Sequence, residues 1–281
     1  MESWRLIAPA FAKPEPSKWN DARVTAAWIG HATVLINFFG VKILTDPVLF
    51  PRIGIRLPGF TIGPKRLTAP ALEFHELPKI DLVLLSHAHF DHFDLRTLRC
   101  FDENTSVITA SNTRDLLRWT RLRRITELRW WEMKTLKTAA GDIEIIAMPV
   151  KHWGARKRRD EYRGYNGYLL ESRNGGRRRI IFAGDTAMTD NFDELRRNGD
   201  VDLAIMSIGA YNPWIRSHCT PEQAIEMANA AGAQFIMPVH HQTFRLSFEP
   251  LREPIERFQA ALHDQPERIA LREIGETFVL P

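Results

Sequence analysis

Apolar residues along the first half of the chain come in short runs broken by turn residues, not in helical stripes. Val24 to Ile29 and Ala32 to Phe38 are two such runs, split by Gly30-His31, and Gly40 separates the second from Val41 to Thr45. This spacing predicts successive antiparallel strands that end at Asp46-Pro47. Further strands are predicted at Ile80 to Leu85, Val107 to Ala110, Gly141 to Met148, Tyr165 to Leu170, Arg179 to Phe182, Val201 to Met206, Gln234 to Val239 and Thr277 to Leu280. Leu95 to Leu98 reads as a short helix, and Asn112-Thr113 as the start of one running through Trp119. Thr220 is placed as an N-cap, with Pro221 at the first helical position and Gly232 just beyond the end. A late helix is predicted from Pro250 to about Leu262. Strands come first, then strands alternating with helices, and no shift in composition divides them. We therefore expect an α/β (α+β) fold: one domain over residues 21–281, with two sheets face to face and helices outside. Residues 1–20, with Pro14 and Pro16, read as an arm draped over that domain.

Composition narrows the class. The chain has 281 residues, 44% hydrophobic and 26% charged, enough to bury a substantial core. No apolar run approaches the ~20 residues of a spanning helix. The start, Met1-Glu2-Ser3-Trp4-Arg5-Leu6, has no basic segment followed by a long apolar core, so no signal peptide is expected and the location is expected to be cytoplasmic. Two cysteines, Cys100 and Cys219, exclude a disulfide scaffold. The net charge of +4 is concentrated locally, at Arg121 to Arg124, Arg156 to Arg159 and Arg177 to Arg179. The last of these follows Asn174-Gly175-Gly176 and reads as the far end of a hairpin. The cluster at 156–159 follows a candidate ligand, where a basic group could hold a substrate phosphate or meet an anionic membrane surface. Residues 48–65 form a long apolar loop rich in Pro and Gly, either a lid, a lipid-contacting flap or a loop packed back on the core.

The chemistry centres on Ser86-His87-Ala88-His89-Phe90-Asp91-His92. Three imidazoles and a carboxylate follow directly on a buried strand, and these are the ligand types of zinc and similar divalent ions. His87 and His89, two apart in extended chain, can point the same way, and Asp91 and His92 can face a second position. Three more candidates share the context of a strand end: His152, Asp185 and His240. We assign His87, His89 and His152 to one cation, Asp91, His92 and His240 to the other, and Asp185 as the bridge. Two neighbouring metals suit hydrolysis of phosphate esters and related bonds.

With these residues in hand, the chain resembles the metallo-beta-lactamase superfamily. Within it, the chain is most similar to the N-acylphosphatidylethanolamine-hydrolysing phospholipase D group. The H-x-H-x-D-H pattern carries the superfamily match. Trp28 to Val34, Leu44 to Pro47, Gly63 to Arg66, Trp130-Trp131-Glu132, His152-Trp153, Phe182 to Thr186, Ile208 to Tyr211, His218 with Pro221-Glu222, and Thr243-Phe244 carry the finer one. The resemblance implies an αββα sandwich and two divalent cations, with Zn2+ the first choice and Fe or Mn also suited to these ligands. It implies catalytic roles for Asp91, Asp185 and His218, the last orienting a phosphate or passing a proton, and a supporting role for Asp46 in orienting a ligand histidine. Tyr211 and Trp214 could line the pocket. Where the group has His-Trp-Gly-Thr-Phe, this chain has His240-His241-Gln242-Thr243-Phe244, so His241 competes with His240 as ligand. The implied function is a phosphodiesterase acting on N-acylphosphatidylethanolamine-like phospholipids. The alternatives are a lactonase or other ester hydrolase of the ascorbate-lactone type, a nuclease, and a metal-stabilised binding module. The expected partners are a phospholipid or small-molecule ester, with peripheral membrane contact and no specific nucleic acid; the oligomeric state is left open.

Overall fold

The structure is a computed structural model and describes residues 7–139, 141–157, 159–172 and 176–281. In chain order the strands are β1 (Val24–Gly30), β2 (Thr33–Phe38), β3 (Val41–Thr45), β4 (Ile55–Leu57), β5 (Phe60–Ile62), β6 (Leu82–Leu85), β7 (Ser106–Ala110) and β8 (Arg124–Leu128). They continue with β9 (Met133–Thr138), β10 (Gly141–Met148), β11 (Gly167–Ser172), β12 (Arg178–Phe182), β13 (Val201–Ser207), β14 (Ala233–Val239) and β15 (Thr277–Val279). The α-helices are α1 (Leu95–Leu98), α2 (Asp193–Arg196), α3 (Pro221–Ala230) and α4 (Glu253–Ala261).

Two sheets form the centre. The first has seven strands in the order β15-β1-β2-β3-β6-β7-β8, and the second has six in the order β14-β13-β12-β11-β10-β9. Each is antiparallel in one part and parallel in the other: β3, β6, β7 and β8 run parallel, as do β12, β13 and β14. Both faces of each sheet are covered, which is why the central strands read as continuous apolar runs. Along β1, Val24, Ala26 and Trp28 face the other sheet, where Ile145, Tyr168, Leu170, Phe182 and Ile205 meet them. Ala27 and Ile29 point the opposite way, toward Leu98, Phe101 and Leu117. On the outer face of the second sheet, Ile181, Ala204, Met206 and Ile236 pack under Ala224, Ala228, Ile255 and Phe258 of α3 and α4. The result is the expected αββα sandwich. Helix α3 starts as predicted: the Thr220 hydroxyl accepts from Gln223 N, and the Gln223 side chain returns the bond to Thr220 N in a capping box.

Several elements differ from the sequence reading. Residues 114–119 form a 3-10 helix instead of an α-helix. Strands β8 and β9 were not predicted, and Arg124, the last residue of the basic run 121–124, opens β8. The loop at 48–65 contains the short β4–β5 hairpin, whose Ile55, Leu57, Phe60 and Ile62 are exposed. Arg177 to Arg179 do stand at the return of the β11–β12 hairpin, and they are engaged there. Arg177 pairs with Glu171 at 2.8 Å and Arg178 with Asp202 at 2.6 Å. The hairpin's Asn174-Gly175 tip, Arg158, and Met1 to Leu6 lie outside the described residues. The described part of the arm is pinned to the domain: Ala8 N donates to Leu67 O, Ala12 N to Ile274 O, and Lys13 pairs with Glu76. Cys100 and Cys219 are both free thiols.

Candidate metal centre

Strands β6, β12 and β14 end at one edge, as does β10, which runs the same way as β12 across the antiparallel β11, and the loops that follow converge there. The loop after β6 carries His87, His89, Asp91 and His92; those after β10, β12 and β14 carry His152, Asp185 and His240. Their side chains meet in two groups. His87 Nε2 and His152 Nε2 lie 2.8 and 3.2 Å from His89 Nδ1. In the second group, Asp91 Oδ2 is 3.6 Å from His92 Nε2 and 3.4 Å from His240 Nε2, which are 3.1 Å apart. Asp185 lies between them, its Oδ2 3.1 Å from His92 Nε2, 3.2 Å from His240 Nε2 and 3.9 Å from His152 Nε2. The structure brings all seven candidates together: His87, His89 and His152 in one group, Asp91, His92 and His240 with His31 in a second, and Asp185 within 4 Å of members of both.

His241 packs against Trp28, ring centroids 4.5 Å apart, so His240 is the histidine that reaches the carboxylates. His218 places Nδ1 3.7 Å from Asp185 Oδ2 and lines the cavity above the cluster. Trp214 lines it too, whereas Tyr211 turns to Glu253 and bonds it at 2.7 Å. Asp46 is fully buried and accepts from His92 Nδ1 at 2.6 Å and from Ser86 N at 2.7 Å, as a residue that orients a ligand does. Two further supports were not foreseen. Ser86 Oγ lies 2.9 Å from His87 Nδ1, and the Ser217 carbonyl accepts from His152 Nδ1 at 2.8 Å. The sequence reading places His31 in the turn between the first two strands and within the Trp28–Val34 motif, with no role in the site. Its Nε2 is 3.0 Å from Asp91 Oδ2, and its carbonyl accepts from His240 N at 3.0 Å. The signal for it was a histidine in a tight turn between two buried strands.

The local backbone is built for these placements. His31, Asp46 and His240 have φ of 55°, 31° and 64°, a left-handed region that costs non-glycine residues about 1–3 kcal/mol each. Such strain persists only where the surroundings over-determine it. Gly184, before Asp185, has φ +60°, and a Cβ there would meet Ser86 Cβ at 2.7 Å. The close approach of the β6 and β12 loops therefore requires glycine.

The electrostatics fit a cation. Burial lowers the imidazoles of His31 and His152 to about 3 and His89 to about 4, and drives His87 well below its ordinary value. These rings are neutral at pH 7, the form that ligates. Burial would raise Asp91 and Asp185, yet the neighbouring His92 and His240 hold both carboxyls well below the usual range. His240, despite its burial, is pushed up to about 9 by Asp185 and Asp91. Protons on the histidines thus offset two buried carboxylates, a role that divalent cations would take over. His89 Nε2 and His218 Nδ1 are buried without a hydrogen-bond partner among the described residues. The neutral imidazoles and ionised carboxylates of the two groups form a donor set suited to divalent metal.

The cavity over the cluster has a volume of about 330 Å³, with Phe90, Trp153, Trp214, Leu246 and Arg156 in its wall. Arg156, largely buried, is lowered by that burial to about 10 and stays charged at neutral pH.

Comparison with known proteins places this arrangement. The profile of the Beta-lactamase superfamily domain matches residues 42–241. An uncharacterized protein of Mycobacterium tuberculosis is 30% identical over 95% of this chain and 74% of its own length. The N-acyl-phosphatidylethanolamine-hydrolyzing phospholipase D 1 of Caenorhabditis elegans is 32% identical over 80% of this chain and 65% of its own length. Among solved structures, a metallo hydrolase from Ignicoccus hospitalis superposes with a TM-score of 0.66 at 19% identity, over 92% of this chain and 98% of its own. The chain belongs to the beta-lactamase superfamily. Its similarity to the N-acylphosphatidylethanolamine-hydrolysing phospholipases, expected from the motifs, is present over most of its length.

Proposed function

We propose that this chain, a metal-dependent hydrolase of the beta-lactamase superfamily, cleaves the phosphodiester bond of N-acylphosphatidylethanolamine-like phospholipids. The observation that carries the reading is the paired donor set sharing Asp185, which opens into a cavity walled by aromatic rings and one guanidinium. His87, His89 and His152 would hold one divalent cation and Asp91, His92 and His240 the other, with Asp185 between; zinc suits the donors best. Such a pair supplies a water of lowered pKa and offsets charge that develops on a phosphoryl oxygen.

The chain's own residues do the rest. Asp46 and the Ser217 carbonyl fix His92 and His152 in the tautomers that leave Nε2 facing the cluster. Hydrolysis adds water across the P–O bond, and the alcohol leaves with a proton. His218, lowered by burial and so neutral, faces the cavity beside Asp185 and is placed to carry that proton on Nδ1. Phe90, Trp153, Trp214 and Leu246 offer apolar walls to the substrate. The exposed Ile55, Leu57, Phe60 and Ile62 of the hairpin, with Arg56 among them, suit contact with a lipid surface. No helix of the described residues is long and apolar enough to cross a membrane.

The test is a product assay on the metal-loaded protein with an N-acylphosphatidylethanolamine and with a sugar lactone. Phosphatidic acid and the acylethanolamine should appear from the first. Ring opening of the lactone with no turnover of the phospholipid would replace this reading by a lactonase.

A further inference from the structure

Arg156 is the one arginine or lysine among the cavity's described lining residues, which also include His89, Asp91, Asp185 and His218. Its neighbours Lys157 and Arg159 are exposed, so Arg156 alone of the described residues in this basic cluster turns inward. Nη1 donates to the carbonyls of Ala88 at 3.1 Å and Phe93 at 2.8 Å, and the guanidinium carbon stands 4.1 Å from the centre of the Phe90 ring. Asp94, Asp160 and Asp91 favour its charge from a distance, but no carboxylate stands within ion-pair distance of it among the described residues. That is unusual, because burying a charge costs several kcal/mol unless an opposite charge or a full set of hydrogen bonds offsets it. A guanidinium has five N–H donors in a planar fork. The contacts above use Nη1 alone, which leaves the donors of Nε and Nη2 for another acceptor. Two oxygens of a phosphodiester match that fork, and a phosphodiester brings a negative charge into direct contact with it. A neutral ester or lactone brings neither.

We propose that Arg156 binds the phosphoryl anion of the substrate and thereby sets the site's preference for phosphodiester monoanions over neutral esters. This rests on the phosphodiesterase reading above and adds its recognition element. The competing role is structural: through Ala88 and Phe93 the same side chain rivets the loop that carries His87 to His92.

Metal-loaded wild type, Arg156→Lys and Arg156→Ala are assayed on bis(p-nitrophenyl) phosphate. Metal content is measured, together with inhibition by anionic diethyl phosphate and neutral triethyl phosphate. In Arg156→Ala, KM and the diethyl phosphate inhibition constant should rise about ten- to a hundredfold, as loss of a charge-assisted contact implies. Metal content and inhibition by triethyl phosphate should stay as in wild type. Arg156→Lys should fall between, and added guanidinium chloride should restore part of the Arg156→Ala loss. An equal loss toward both inhibitors, or a loss of metal with KM unchanged, would assign Arg156 to the structural role and overturn the proposal. A wild type that leaves the diester uncleaved would instead remove the phosphodiesterase reading and this inference with it. A wild type that cleaves it, with variants that do not discriminate, removes only the role of Arg156.

Discussion

Replacing Asp46 by Asn probes how the second group of ligands is held. Asp46 makes no contact with the cavity, yet its carboxylate accepts from His92 Nδ1 at 2.6 Å and, on its other oxygen, from Ser86 N at 2.7 Å. Asn keeps the shape and one acceptor. If its amide oxygen stays on Ser86 N, its NH2 group faces His92 Nδ1–H, donor against donor. His92 must then shift its proton to Nε2, the atom that points at Asp91 and Asp185. A hydrogen bond to a charged group contributes about 1.5–3 kcal/mol, and each 1.4 kcal/mol is a factor of ten. The affinity for the cation of the Asp91–His92–His240 group should fall about 10- to 100-fold, the range usual for partners that orient metal ligands. Competition titration against a chelator of known affinity reads this directly, and turnover should return as metal is added in excess. Unchanged metal affinity in a folded Asp46→Asn protein would refute the claim that this carboxylate sets the His92 tautomer.

Other consequences are as direct. Asp185→Asn should abolish turnover while the thermal unfolding midpoint and circular dichroism stay close to wild type; near-normal activity would contradict a bridging carboxylate. Gly184→Ala should destabilise the chain by about 2 kcal/mol or more in denaturant unfolding, since its Cβ would meet Ser86 in a left-handed backbone. Metal uptake should be linked to pH. Without metal His240 titrates at about 9, so at pH 7 it must shed a proton to ligate. Affinity should therefore weaken as pH falls below 9, with proton release visible by calorimetry in buffers of different ionisation enthalpy.

The strands covered on both faces, such as β1, β6 and β12, were legible because burial demands unbroken apolar runs there. The edge strands were not. Strand β9 reads Met-Lys-Thr-Leu-Lys-Thr, and its lysines protect an exposed edge while erasing the apolar signal. Strand β8 begins in a run of arginines and is mostly half-buried, so it reads as a turn. The ligands were legible for a related reason: each follows a buried strand, and strand ends at one edge of a sandwich converge. Asp46 also sits at such an end, and its contact with His92 is the one expected of a carboxylate that orients that ring. His31 has no spaced partner in sequence, and only the fold brings its ring to Asp91. The choice between His240 and His241 likewise depends on backbone direction, since the φ of 64° at His240 turns that ring to the cluster and leaves the next one against Trp28.

Elemental analysis of the purified, metal-reconstituted chain tests the central claim most directly. About two divalent cations per chain are expected, falling to about one in His87→Ala and in His240→Ala, because each removes a ligand from one of two neighbouring sites. A chain that takes up no cation, or whose metal content both substitutions leave unchanged, would contradict a binuclear centre at these residues.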